Sequence, residues 1–398
     1  MARVMAEQLF KEPLTDERYA AFAKKLDPCL EVRDGMWRRS SLSIDKLRMV
    51  CEFEAPDAEA VREAFRASAT AYERIWTAEV QAIEAYPELV EKLNRLLGKP
   101  TSAAPTAAAA APSSESNAEA TAAWNGVLFD KFVRFRRVLT TGFARHSDAA
   151  IERHPPAVSG QVLDVGCGFG DVTSALARAV GPGGVASGVD VADRFVEAAR
   201  TDAAREGRSN ARFFRADVQT DDLGGPYDAV YSRFGTMFFA SPLAAMRNVK
   251  RSVKPGGRLC AVVWRKREDN PWVHVAERVV RDLVPERHEP DEPTCGPGPF
   301  SMASPDVVSD ILTRAGFDGV TFERHDAPVV IGHDVDEAIQ FAMALGPAGE
   351  RIRLAGEEGV RLTPRVTAAL RDALISYVTA RGVVMPSSAW IVTGLVRG

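Results

Sequence analysis

The period of the apolar positions changes several times along the chain, and each change marks an element. Val162, Leu163 and Val165 form a short apolar run bounded by turn residues, which reads as a buried strand. Gly166, Gly168 and Gly170 follow at alternate positions. A helical pattern then begins, for which Asp171 is the expected N-cap. Further strands are expected at 185–190, 212–215, 228–232 and 258–264, with a closing pair at 319–331 and 389–396. Helices are expected at 240–253 and 305–315, and a helical insertion at about 333–382 that would cap a pocket or bury an interface. Upstream, 124–146 reads as helical, with Phe129, Phe132, Phe135 and Val138 as its inner stripe.

The first hundred residues carry a different pattern. Strand character at 3–9, 35–43, 47–53 and 72–80 alternates with helices from Thr15 to about Leu26 and from Pro56. Leu47, Met49, Cys51 and Phe53 share one strand face. The order β-α-β-β-α-β is that of a ferredoxin-like split unit over 1–97, closed by a short helix at about 88–97. One apolar face of so small a sheet would be left to pair with a second copy, so a homodimer is expected. Between 98 and 123 the chain is mostly Ala, Pro, Ser and Thr, a composition that cannot bury a core. It is read as a flexible linker spanning roughly 25–30 Å. The third segment, 124–398, is then an α/β domain.

Composition narrows the function without naming it. At 398 residues the chain is long enough for two domains, and 46% hydrophobic with 26% charged residues is ordinary for a globular protein. A net charge of −4 gives no electrostatic footprint for nucleic acid. No apolar run is long enough for a membrane span, the N-terminus lacks a long apolar signal core, and the scattered cysteines fit the reducing cytoplasm that is the expected location. The five cysteines, Cys29, Cys51, Cys167, Cys260 and Cys295, show neither a CxxC pair nor zinc spacing.

The chemistry concentrates around the glycines. The spacing is G-x-G-x-G rather than the dinucleotide G-x-G-x-x-G, and carboxylates flank it at Asp164 and Asp171. Asp164 would repel a pyrophosphate and attract a ligand bearing a sulfonium and an ammonium. Asp190 ends the second strand, where an acid can accept both ribose hydroxyl hydrogens. Ser232, Arg233 and Phe234 end the fourth strand, where open α/β sheets bind ligands. Arg233 is read equally as holding an acidic substrate or as pairing with Asp164 or another acid. In the insertion 265–302, Asn270, Trp272 and His274 are candidates for an acceptor pocket, with His274 the candidate general base. Phe234, Phe238, Phe239, Trp264 and Trp272 point to an aromatic or apolar acceptor.

With these residues in view, Val162–Gly170 (VLDVGCGFG) resembles motif I of the class I S-adenosylmethionine (SAM) methyltransferases. The resemblance continues through Gly188-Val189-Asp190, Ala216-Asp217-Val218, Tyr227–Val230 and Lys254–Gly257. Trp124-Asn125-Gly126, Ser232–Gly235 and Asp269–Trp272 resemble a bacterial small-molecule subfamily. The resemblance implies a seven-stranded Rossmann-like sheet of order 3-2-1-4-5-7-6 and SAM as cofactor. It implies Asp164, Gly166, Gly168 and Gly170 at the methionine part, Asp190 and Val191 at the ribose, and Asp217 and Val218 at the adenine. Ser232 would lie by the methyl, and Trp124 would act as a lid. The expected reaction moves a methyl group to an O, N or activated C nucleophile of a small molecule. Two rivals stay open, a SAM-binding sensor without turnover and a dinucleotide-dependent oxidoreductase. Cys51–Glu63 resembles a small-domain family with members described as nickel-binding. No histidine lies between Met1 and Phe143, so no metal is expected there.

Overall fold

The computed structural model describes residues 2–78, 121–284 and 298–397, and the chain divides into two compact units, 1–118 and 119–398. The expected helix at 88–97, most of the linker and Cys295-Gly296-Pro297 lie outside the described residues.

The first unit runs β1 (Ala2–Leu9), α1 (Asp16–Glu31), β2 (Met36–Leu42), β3 (Arg48–Ala55), α2 (Ala58–Ala67) and β4 (Arg74–Ala78). Thr15 caps α1 by accepting from the Arg18 amide, and Asp57 caps α2 by accepting from the Ala60 amide. α1 extends five residues beyond Leu26, because Leu26, Cys29 and Leu30 continue its buried stripe. The sheet order is β2-β3-β1-β4, with every neighbouring pair antiparallel. Val4, Ala6, Met49, Cys51, Phe53, Val61 and Phe65 are all buried and form the core.

The other face of this sheet corrects an expectation. It is charged, not apolar. Period-two alternation sends Glu7, Glu52 and Glu54 to the side opposite Ala6, Cys51 and Phe53. Glu7 is bridged by Arg48 and Arg74, Glu52 by Arg3 and Arg39, and Glu54 by Arg38. The arginine side chains leave Glu7 only 4% and Glu52 only 2% exposed. Occlusion pushes the Glu7 carboxyl upward, but the hydrogen bonds from Arg74 and Arg48 prevail and hold it below its usual range.

The second unit is built on β5 (Gln161–Val165), β6 (Val185–Asp190), β7 (Ala211–Arg215), β8 (Tyr227–Arg233), β9 (Val253–Trp264), β10 (Asp318–Gly332) and β12 (Gly382–Leu395). The strand order is β10-β12-β9-β8-β5-β6-β7. Strands β5 to β9 are parallel, whereas β12 runs antiparallel to both β9 and β10. An eighth strand, β11 (Val378–Thr379), pairs only with β12. The last hairpin is longer than its apolar alternation indicated. Ala389 pairs with Trp264, the last residue of β9, so residues 382–388 of β12 and their β10 partners rise past the sheet's C-terminal edge.

Helices α5 (Asp171–Val180), α6 (Asp193–Arg205), α7 (Pro242–Arg251) and α9 (Pro305–Ala315) flank the sheet. Three more, α10 (Val335–Leu345), α11 (Pro347–Leu354) and α12 (Gly356–Leu374), are strung from the overhanging hairpin. They pack with α8 (Pro271–Leu283), which folds within the expected 265–302 insertion. The expected continuous helix over 124–146 is broken. It becomes a helical turn at 121–125, α3 (Val127–Arg134), a π-helical turn at Val138–Gly142, and α4 (Ala144–Arg153). A Cβ on Gly142 would meet the Val330 carbonyl oxygen at 2.6 Å, so the π turn passes directly against β10.

Candidate active site

The site is assembled at the C-terminal edge of β5, β6 and β8. After β5 the chain turns on Gly166 (φ 68°), Gly168 (φ 52°) and Gly170 (φ 78°), all in the left-handed region. Gly166 is doubly constrained, since a Cβ there would sit 2.9 Å from the Gly235 Cα. Gly168 faces open space instead, where a Cβ would have no neighbour within 4 Å among the described residues. Gly170 in its αL conformation, not Asp171, is the N-cap residue of α5. Asp171 begins the helix and instead receives Arg233 in a two-pronged pair, at 2.7 Å and 3.1 Å. That settles which acid Arg233 meets. The guanidinium is only 12% exposed and committed to this carboxylate.

Asp190 holds the loop from the next strand. Its Oδ2 accepts from the Gly168 amide at 3.0 Å and its Oδ1 from the Ala192 amide at 3.0 Å. Each oxygen keeps a second lone pair for a further donor. Burial pushes the Asp190 carboxyl upward, opposed by those amides. Asp164 is 1% exposed and accepts from the Thr173 hydroxyl at 2.6 Å. Burial, the largest effect, drives its pKa up to about 7, with Asp171 adding to the rise and Thr173 opposing it. Cys167, in the same loop, is buried and its thiol is pushed far upward, so it is inert as a nucleophile.

The remaining expected residues are placed as follows. Asp217 shapes its own turn by accepting from the Gln219 amide at 3.0 Å, and Val218 is buried, its carbonyl accepting from Asn248. The Val191 carbonyl accepts from Arg215. The Ser232 hydroxyl donates to the Val165 carbonyl at 2.7 Å, tying the ends of β5 and β8 together. Trp124 packs edge-on against Phe195, which follows β6, and against Phe238, which follows β8. Because β6 and β8 lie on either side of β5, the indole bridges the strands that flank the glycine loop. Phe129, Phe132 and Phe169 complete that cluster, with Arg194 over the Phe129 ring and Arg136 over the Phe169 ring.

A second aromatic cluster lies beyond β8. Phe234 and Trp264 stack with centroids 3.8 Å apart, and Phe143, Trp272 and Phe341 close around them. Asn270 does not line a pocket. Fully buried, it donates to the Lys266 and Ser388 carbonyls and accepts from the Ser388 amide and the Trp272 indole. It clasps the start of α8 to β12. His274 lies two residues beyond Trp272, about 200° around the helix. It therefore does not share the face that Trp272 turns to the aromatics. Its Nδ1 is 3.8 Å from Glu277, which Arg267 neutralises at 2.6 Å. Sequence reasoning passed over Phe143, His146 and Phe341, since an apolar or aromatic stripe on a helix looks the same whether it packs a core or lines a site.

Among the described residues, no group of three or more His, Cys, Asp or Glu side chains is arranged to hold a metal ion, and no helix is long and apolar enough to cross a membrane. The geometry fits SAM: an open glycine turn, carboxylates flanking it at Asp164 and Asp171, and the Asp190 carboxylate at the tip of β6 bonded to the Gly168 amide. Residues 162–257 match a family described as "Methyltransferase domain", and residues 5–77 match one described as "Nickel responsive protein SCO4226-like". The chain is 23% identical over 179 residues to a demethylmenaquinone methyltransferase of Lactococcus lactis, an alignment covering 43% of this chain and 71% of that one. It is 28% identical over 165 residues to a nocamycin O-methyltransferase of Saccharothrix syringae, covering 39% and 58%. Among solved structures, a magnesium protoporphyrin IX methyltransferase of Synechocystis with bound S-adenosylhomocysteine aligns at 14% identity and a TM-score of 0.43, covering 70% and 99%. The chain therefore carries a class I methyltransferase domain whose cofactor is S-adenosylmethionine.

Proposed function

We propose that this chain methylates an O, N or activated C nucleophile of a small molecule. The observation that carries the reading is the Asp190 carboxylate, which braces the glycine loop through the Gly168 amide and still offers lone pairs at the end of β6. Asp190, with the neighbouring Val191 backbone, would hold the ribose. Asp164 would receive the ammonium, and Asp217 with Val218 would border the adenine. Gly166, Gly168 and Gly170 let the backbone approach closely. Ser232 acts indirectly, by fixing the spacing of β5 and β8, and Arg233 by anchoring Asp171. Trp124 would cover the bound ligand and exclude water.

When bound, SAM supplies a methyl group on an electrophilic sulfonium. The protein's task is alignment and desolvation, with a proton acceptor required only where the nucleophile carries hydrogen. The overhanging hairpin and its helices would form the acceptor side. The first unit is read as a self-association module. Its arginine–glutamate face makes such pairing salt-dependent, which sedimentation at low and high salt would test. Calorimetric titration with SAM and with NAD(H) tests the main reading. Heat with SAM alone is expected, and heat with NAD(H) alone would overturn it.

A further inference from the structure

Three departures from relaxed structure converge beyond β8. Phe234, a non-glycine residue, is held at φ 62°, a strained conformation of the kind that clusters at functional sites. A π-helical turn, Val138–Gly142, delivers Phe143 and His146 to the same place. His146 itself is fully buried, with its ring edge-on to Phe234 and Trp264 at 5.8 Å and 5.1 Å.

The hydrogen bonds around His146 assign its tautomer. The Ser387 hydroxyl donates to the Ala327 carbonyl at 2.7 Å, which uses its only hydrogen. Its oxygen, 2.7 Å from His146 Nε2, must therefore accept from Nε2–H. Nδ1 is left as a bare lone pair, buried and without a hydrogen-bond partner among the described residues. An orphan of this kind costs about 1–3 kcal/mol, and a native structure keeps one for a reason. Burial above all, then His325 and Arg233, push the imidazole pKa down to about 3, so the ring is neutral at physiological pH.

Resting on the methyltransferase reading above, we propose that His146 Nδ1 accepts a hydrogen bond from the acceptor's nucleophile and positions it, and that the acceptor is a planar aromatic compound bearing a hydroxyl or N–H. Its ring would lie against the Phe234–Trp264 stack. The neutral Nδ1 would accept the hydrogen bond of the acceptor's O–H or N–H and so aim the nucleophile's lone pair at the bound methyl donor. Nε2–H stays bonded to Ser387 throughout, which holds the ring in register.

The test uses the full chain, 2-naphthol as probe and naphthalene as its hydrogen-free control, each added with S-adenosylhomocysteine. Binding of 2-naphthol is expected to weaken about tenfold in His146→Phe, which keeps the ring and removes the acceptor, while naphthalene binding is unchanged. Ser387→Ala, which frees the tautomer, is expected to weaken 2-naphthol several-fold and to mix the two imidazole tautomers in 15N NMR of histidine-labelled protein. In the wild type, 2-naphthol should shift the Nδ1 resonance. Equal loss of both probes, no loss of either, or no binding of 2-naphthol to the wild type would overturn the proposal. Calorimetry of SAM binding keeps the two readings separate. If SAM binds wild type and His146→Phe alike, the methyltransferase reading stands whatever the naphthol result; if SAM binds neither, that reading fails.

Discussion

Asp164 carries the clearest electrostatic strain in the site. Its folded-state pKa of about 7 lies above the ordinary carboxylate value of roughly 4, so the folded chain retains a proton that the unfolded chain releases between those values. The resulting stability is complete below about pH 4 and is lost as pH rises through about 7. The melting temperature of the free protein is expected to fall across that window, and the fall should vanish in Asp164→Asn. A ligand ammonium favours the ionised form, so SAM affinity measured by calorimetry should rise between pH 6 and 8, a trend Asp164→Asn should also lose. Removing the brace at β6 is a harsher change. Asp190→Ala is expected to weaken SAM binding by about a hundredfold or more, since it costs ligand contacts and leaves the Gly168 and Ala192 amides unbonded.

At the scale of elements, Asn270 shows how one side chain fixes a junction. With both ends of its amide bonded to Ser388 across the start of α8 and β12, Asn270→Ala would strand several buried polar groups. A loss of about 3 kcal/mol is expected in urea unfolding. The same scale shows what was legible. The β5 strand and its glycine turn were visible because Val162, Leu163 and Val165 must be buried and only glycine accepts three left-handed positions so close together. The Arg233–Asp171 pair was not, because a carboxylate at the start of a helix looks like a cap whether or not a cation reaches it. The tautomer-setting chain from Ala327 through Ser387 to His146 joins residues 60 and 241 positions apart and leaves no local pattern at all. The charged face of the first sheet was readable in the alternation of Glu7, Glu52 and Glu54, but the apolar side of the same strands drew the reading.

At the scale of the molecule, the two units keep separate cores, the first around Phe53 and Phe65 and the second around β5 to β9. A chain beginning at Glu119 is therefore expected to keep its SAM affinity within about twofold in calorimetry, whereas its self-association should be lost. Retained self-association would remove the role read for the first unit.

The hairpin that climbs past Trp264 divides the inheritance of this chain. Phe143, His146, Trp264, Trp272, Phe341 and Ser387 all fall outside the stretch 162–257 that matches the methyltransferase family model. The glycine turn and Asp190 lie inside that stretch, whereas the residues proposed to meet the acceptor, Phe234 excepted, lie outside it. On the roles proposed above, a change of recipient would need edits only to the overhang and to the helices threaded on it. The family match is correspondingly silent about what this chain modifies.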